Sequence, residues 1–186
     1  MGIPDIEIDI ESIEVEPGLW ERFTDSAGDL FEDEDDAAYA FGQVANPETN
    51  KDQKERGAVI REVVYYEYTQ TGEMVGKRGY TYGKIYTGQH NRVFNAAFAA
   101  LVTPGKVSFV HTHPNCSCGL SPDKFSTGLI SDEGLARLGK INNVYLTTLN
   151  TGELLKFDES RTVPPYENTI EYDLPKFNKD QTCNFK

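Results

Sequence analysis

The residue types best suited to chemistry gather in one short stretch, His111-Thr112-His113-Pro114, which closes the apolar run Val107-Ser108-Phe109-Val110. On an extended chain residues i and i+2 point to the same side, so the two imidazoles can reach one ion. The chain holds three histidines, and two of them fall here. The segment that follows adds Asp123 and Asp132 as carboxylates, with Cys116 and Cys118 as softer donors. Two histidines and one carboxylate form a donor set that Zn2+ accepts, leaving a fourth position for water. That open position separates a catalytic site from a closed structural one.

Other readings of the same residues fit less well. A zinc deaminase needs His-x-Glu and Pro-Cys-x-x-Cys, whereas Pro114-Asn115-Cys116-Ser117-Cys118 has a different spacing and no Glu follows His111 by two. A structural zinc held by His111, His113, Cys116 and Cys118 would crowd four ligands into eight residues. A serine hydrolase of the Gly-x-Ser-x-Gly type lacks its elbow.

The elements that must position these residues are legible from hydrophobic period and turn signals. Ile6, Ile8 and Ile10 alternate with acids and read as a short edge strand. The acids of its first turn and the apolar set Ala37, Tyr39, Ala40, Phe41 and Val44 predict a helix over Asp33–Val44, stopped by Asn46-Pro47, with a polar loop over Glu48–Lys54. Glu55 then opens a β-branched and aromatic strand reaching Tyr68, with a bend expected near Arg61-Glu62, and Thr71-Gly72 reads as a turn into a second strand at Tyr80–Tyr86. Asn91–Val102 reads as a helix burying Val93, Phe94, Ala97, Phe98 and Leu101 on one stripe. After the strand that ends at His111, a short helix over Ser131–Lys140 takes Ser131 or Asp132 as its N-cap, and a hairpin joins Val144–Leu149 to Leu154–Phe157 through Gly152. The stretch after Asp158 reads as irregular. The class expected is α+β, with one central mixed sheet flanked by helices.

Composition narrows the function classes. The 186 residues carry a net charge of −12, and 14 of the acids lie within residues 1–36 beside the single base Arg22. No basic stripe exists for nucleic-acid phosphates. The acidic head reads as a solvated segment or as a surface for a basic partner. No basic segment is followed by an apolar one at the start, and no apolar run suffices for a bilayer, which predicts no signal peptide, no membrane partner and a cytoplasmic location. Three cysteines, Cys116, Cys118 and Cys183, are too few for a disulfide framework and fit a reducing compartment, with a bridge from Cys183 to either of the others left open.

The order of segments resembles the JAB/MPN metalloproteases: a Glu on an early strand, His-x-His-Pro, then Ser-x-x-Asp opening a helix. Closer still, it is similar to the JAB-like domain at the C-terminal ends of bacterial Rhs-type polymorphic toxins. The likeness covers roughly Glu34–Asp158 and includes Asp35-Asp36-Ala37-Ala38-Tyr39-Ala40-Phe41, Glu55-Arg56-Gly57-Ala58-Val59-Ile60, His111-Thr112-His113-Pro114, and Tyr145-Leu146-Thr147-Thr148 with Leu154-Leu155-Lys156-Phe157. The resemblance implies a cytidine-deaminase-like layering over residues 33–158, flanked by an acidic segment (1–32) and a tail (159–186). It also implies a zinc-dependent hydrolase of amide or isopeptide bonds. Its implied ligands are His111, His113 and Asp132, with Asp123 as the alternative. Glu55 matches the proton-shuttling carboxylate, and Ser121, Ser126 or Ser131 would donate to an oxyanion. One departure stands out: three residues after each of these serines lie Lys124, Leu129 and Gly134, not Asp. The implied setting is a bacterial effector with a protein or peptide substrate and a cognate immunity protein, delivered into target cells as part of a larger secreted protein. A metal-free JAB-like binding module is the alternative from another class.

Overall fold

The side-chain period of two along each strand divides the apolar residues of this chain between two faces of one sheet. The computed structural model describes residues 28–89, 92–115, 123–127, 131–161 and 165–177. Within them the order is α1 (Glu34–Asp52), β1 (Arg56–Tyr68), β2 (Met74–Tyr82), β3 (Tyr86–Thr87), α2 (Phe94–Val102), β4 (Val107–Thr112), α3 (Asp132–Ala136), β5 (Ile141–Thr147), β6 (Leu154–Phe157) and β7 (Glu167–Ile170). The strands form a seven-stranded sheet in the order β2-β1-β4-β5-β6-β7, with β3 also pairing β1. The β4–β5 pair is parallel, as expected where a crossover carries a helix, and the others are antiparallel. The fold is therefore the expected α+β domain with a mixed sheet.

Ala58, Ile60, Val110, Tyr145 and Leu154 face α1, where Ala37, Ala38, Phe41 and Ala45 complete a buried cluster with Tyr82 and Leu174. Phe109, Val144, Leu146, Leu155 and Phe157 face the other way and pack with Val93, Ala96 and Ala100 near and on α2 and with Ala136 on α3. Gly57 permits this second layer to close, because a Cβ there would sit 3.0 Å from both Ala96 Cβ and Val93 Cγ1.

Helix α1 differs from its expected span, running through Asn46-Pro47 to Asp52 instead of stopping at Val44. Proline in a helix interior removes one backbone bond and crowds the preceding turn. Tertiary bonds hold the helix there: the Asn46 amide donates to the Thr148 carbonyl (3.1 Å) and accepts from the Thr147 hydroxyl (2.7 Å). At the other end Asp33 caps the helix by accepting from the Asp36 N–H, and the Tyr145 hydroxyl donates to Asp35 and Glu34.

Other boundaries shift as well. Strand β1 runs as one strand to Tyr68, and Met74–Tyr82 pairs residue by residue with its second half from Ile60 on. The second strand thus begins at Met74 and ends at Tyr82, not at Tyr80 and Tyr86. Helix α3 is one and a half turns shorter than expected. The stretch after Asp158 contains β7, which pairs with β6, and Leu174 enters the core. Four residues are too few for a clear alternation, and pairing rather than pattern defines that strand. The Ile6–Ile10 strand, the three cysteines and Ser121 fall outside the described residues. No helix among the described residues is long and apolar enough to cross a membrane.

Candidate metal centre

The strand β4 carries Phe109 and His111 on the same face, and their rings stack with centroids 5.1 Å apart and planes 12° apart. Phe125 closes on the same imidazole at 6.3 Å. His111 Nδ1 is buried and has no hydrogen-bond partner among the described residues. Ring packing therefore sets the orientation of this imidazole and leaves Nε2 to point outward from the stack. His113 follows two residues later, just past the strand end, and returns to the same side. The Nε2 atoms of the two histidines lie 3.2 Å apart.

Between them in sequence, Thr112 faces α1, and its hydroxyl anchors the strand end from behind. It lies 2.8 Å from the Thr49 hydroxyl and accepts from the Arg56 backbone N–H at 3.0 Å. The Arg56 guanidinium reaches back to both oxygens of Asp52 at 2.9 Å. The last turn of α1, the start of β1 and the end of β4 are thus tied together beneath the two histidines. These residues were not singled out from sequence; the only signal available was the alternation that puts Thr112 opposite the histidines.

Asp132 opens α3, whose N-cap Ser131 accepts from the Gly134 N–H. Its carboxylate turns inward, with Oδ1 3.0 Å from His111 Nε2 and Oδ2 3.4 Å from His113 Nε2. The three side chains form a buried group whose ligand atoms all lie within 4.8 Å of one another and could hold a metal ion. Four N or O ligands about 2.0–2.1 Å from one tetrahedral ion are separated by about 3.3 Å. The two histidine Nε2 atoms, 3.2 Å apart, lie close to that value, and Asp132 presents a different oxygen to each imidazole. Burial alone would raise the Asp132 carboxyl, but the two facing imidazoles outweigh it and hold the group well below the usual carboxylate range.

Ser126 has a different role from the oxyanion donor expected of it. Its backbone N–H (2.7 Å) and its hydroxyl (2.8 Å) both donate to Asp132 Oδ2, and the same hydroxyl accepts from the Asp132 N–H at 3.0 Å. Its hydroxyl proton is committed to the carboxylate, so Ser126 positions the third candidate ligand. The Ser-to-Asp spacing of five intervening residues thereby achieves an orientation that the three-residue pattern does not provide here. Asp123, the alternative ligand, stands outside this group, where its Oδ2 accepts from the Asn150 amide at 3.0 Å.

Glu55 precedes β1 and is held by backbone bonds on both sides: its N–H donates to the Gln89 carbonyl (2.9 Å) and its carbonyl accepts from the Gly88 N–H (2.8 Å). Gly88 cannot carry a side chain in this arrangement, since a Cβ would lie 2.1 Å from the Arg92 carbonyl oxygen. Only 3% exposed, Glu55 has its carboxyl pushed up to about 7 by burial, with His113 and His111 pulling against the rise and Asp132 adding to it. Glu55, His111, His113, Asp132, Ser126 and Ser131 share one open cavity of about 900 Å³. Away from the histidines its lining is mainly apolar, from Phe94, Ala97, Phe98 and Leu101 of α2 with Leu135 and Leu138. Arg92, Glu133 and Arg137 also border it.

Comparison of the chain with family models, with curated proteins and with solved structures finds no match in any of the three.

Proposed function

We propose that this chain is a zinc-dependent hydrolase of amide or isopeptide bonds, in keeping with its resemblance to the JAB/MPN metalloproteases. The observation that carries the proposal is the convergence of His111, His113 and Asp132, with ligand atoms within 4.8 Å of one another, on the wall of a cavity that also holds buried Glu55.

His111, His113 and Asp132 would hold the ion, and when bound it supplies Lewis acidity that acidifies water and polarises a carbonyl oxygen. The remaining chemistry belongs to the chain. The Glu55 carboxyl feels the charges of both histidines and of Asp132. A buried carboxyl beside the two imidazoles serves both halves of amide hydrolysis, taking a proton from the attacking water and returning it to the departing amine. Ser126 fixes Asp132 by three hydrogen bonds, and the Phe109–His111–Phe125 stack fixes one imidazole. The donors are therefore preorganised before any ion arrives. The setting proposed with it, from the same resemblance, is a bacterial effector that acts on a protein or peptide and is held in check by a cognate immunity protein.

The test is zinc titration of protein purified without a metal-binding tag, beside His113→Ala and Asp132→Ala, followed by peptidase and isopeptidase assays. One zinc per chain, lost in both variants, with amide cleavage abolished by Glu55→Gln, is the expected result. A wild type that takes no zinc when zinc is offered refutes the hydrolase reading and leaves the metal-free binding module.

A further inference from the structure

The apolar stripe of α2 does not do what its period predicts. Ala96 and Ala100 are the residues that pack on the sheet, while Phe94 is 68% and Phe98 54% exposed. The two rings stack on each other with centroids 6.2 Å apart. Leu101 continues the row, and Leu138 faces it from beyond α3. Helix α2 carries no charged residue in its first or last turn to offset this exposure. An exposed cluster of two phenylalanines and two leucines on one small helix pair is unusual unless something covers it.

All four side chains line the cavity whose inner wall is Glu55, His111, His113 and Asp132. That continuity identifies the occupant. A second copy or a lipid surface seated flat on α2 would seal the entrance to the histidines, whereas a substrate must run from the apolar wall to the metal-binding donors. We infer that this wall is the specificity subsite of the enzyme and takes a large apolar side chain, aromatic or branched aliphatic, adjacent to the amide bond that is cleaved. The inference rests on the hydrolase reading and narrows it to polypeptide substrates with such a residue beside the scissile bond. Phe98 and Phe94 provide the stacking surface. Leu101 and Leu138 complete the hydrocarbon contact on either side. The cavity volume of about 900 Å³ exceeds a single side chain, leaving room for the flanking backbone.

The experiment is an NMR titration of metal-free protein, in chelator, with capped pentapeptides of sequence Gly-Gly-X-Gly-Gly in which X is Phe, Leu, Ser or Asp. Burying the apolar side chain should make the Phe and Leu peptides bind roughly 10- to 100-fold more tightly than the Ser and Asp peptides. Phe98→Ser should remove that preference while leaving zinc stoichiometry unchanged. Phe94→Ser provides a second exposed variant, should the first fail to fold. With zinc added, a mixed peptide pool read by mass spectrometry should yield cuts that flank Phe and Leu. Equal binding of all four peptides overturns the inference, as does a concentration-dependent dimer abolished by Phe98→Ser, which would assign the face to a second copy. A protein that shows the apolar preference but cleaves nothing when zinc-loaded keeps the subsite and sinks the hydrolase reading, so the two failures are distinguishable.

Discussion

Replacing Glu55 by glutamine separates chemistry from stability in one substitution. Glutamine keeps the shape and removes the titration. In the folded chain the Glu55 carboxyl titrates at about 7 against an ordinary 4.5. Each unit of such a difference corresponds to about 1.4 kcal/mol, so the wild type forfeits on the order of 3 kcal/mol by ionising a buried carboxyl. The sign follows from proton counting. Between pH 4.5 and 7 the folded state binds more protons at this position than the unfolded state, so its stability falls as pH rises through that window. Asp132 behaves in the opposite sense: its depressed pKa contributes stability that is present above the ordinary carboxylate range and is lost only as pH falls below it. Glu55→Gln should therefore match the wild type near pH 4.5 and exceed it at pH 8, both measured in chelator by urea unfolding. In a thermal melt the gap at pH 8 should be about 6–12 °C for a chain of this size. Adding zinc should narrow the gap, because a cation nearby favours the carboxylate. Turnover should fall about 10²- to 10⁴-fold at the same time, with zinc binding intact. A Glu55→Gln protein whose stability relative to wild type is the same at pH 4.5 and pH 8 would refute the argument that this carboxyl is buried at an energetic cost.

Four further outcomes follow from the hydrogen bonds and close approaches around the site. Ser126→Ala removes the hydroxyl that orients Asp132 and should weaken zinc binding about 10- to 100-fold in a calorimetric titration, with the fold intact by circular dichroism. Thr112→Val leaves the Arg56 N–H without its acceptor and should cost about 1–3 kcal/mol in denaturant unfolding. Asn46→Ala severs the bonds that carry α1 past Pro47 and should cost a similar amount, with amide exchange accelerating first at residues 47–52. Gly88→Ala forces apart the segment that grips Glu55 and should lower turnover more than it lowers zinc affinity, read by parallel kinetics and titration.

The histidine pair that could hold a metal and the strand that bears it were legible in the sequence because both depend on local rules. A run of apolar residues makes the buried strand, and the period of two puts His111 and His113 on one side of it. Asp132 was legible as a candidate ligand through its place at a helix start, and Glu55 only through the resemblance to the JAB/MPN pattern; burial in the fold then gave Glu55 its raised pKa. The class of fold followed from the same alternation of periods. What the sequence could not supply were the interactions between segments far apart along the chain. Asn46 bonds to Thr147 and Thr148, a hundred residues away, and that contact decides that a helix continues through a proline. Ser126 was one of three serines with the same local appearance, and only the folding of its loop against α3 directs its hydroxyl to Asp132. Helix α2 shows the same division most plainly. Its sequence specifies an apolar helix, but Gly57 draws the alanine face onto β1, and that packing leaves the two phenylalanines to line the cavity. Local periodicity fixes which residues share a face; which face is buried depends on the partner surface, and that exists only once the sheet has assembled.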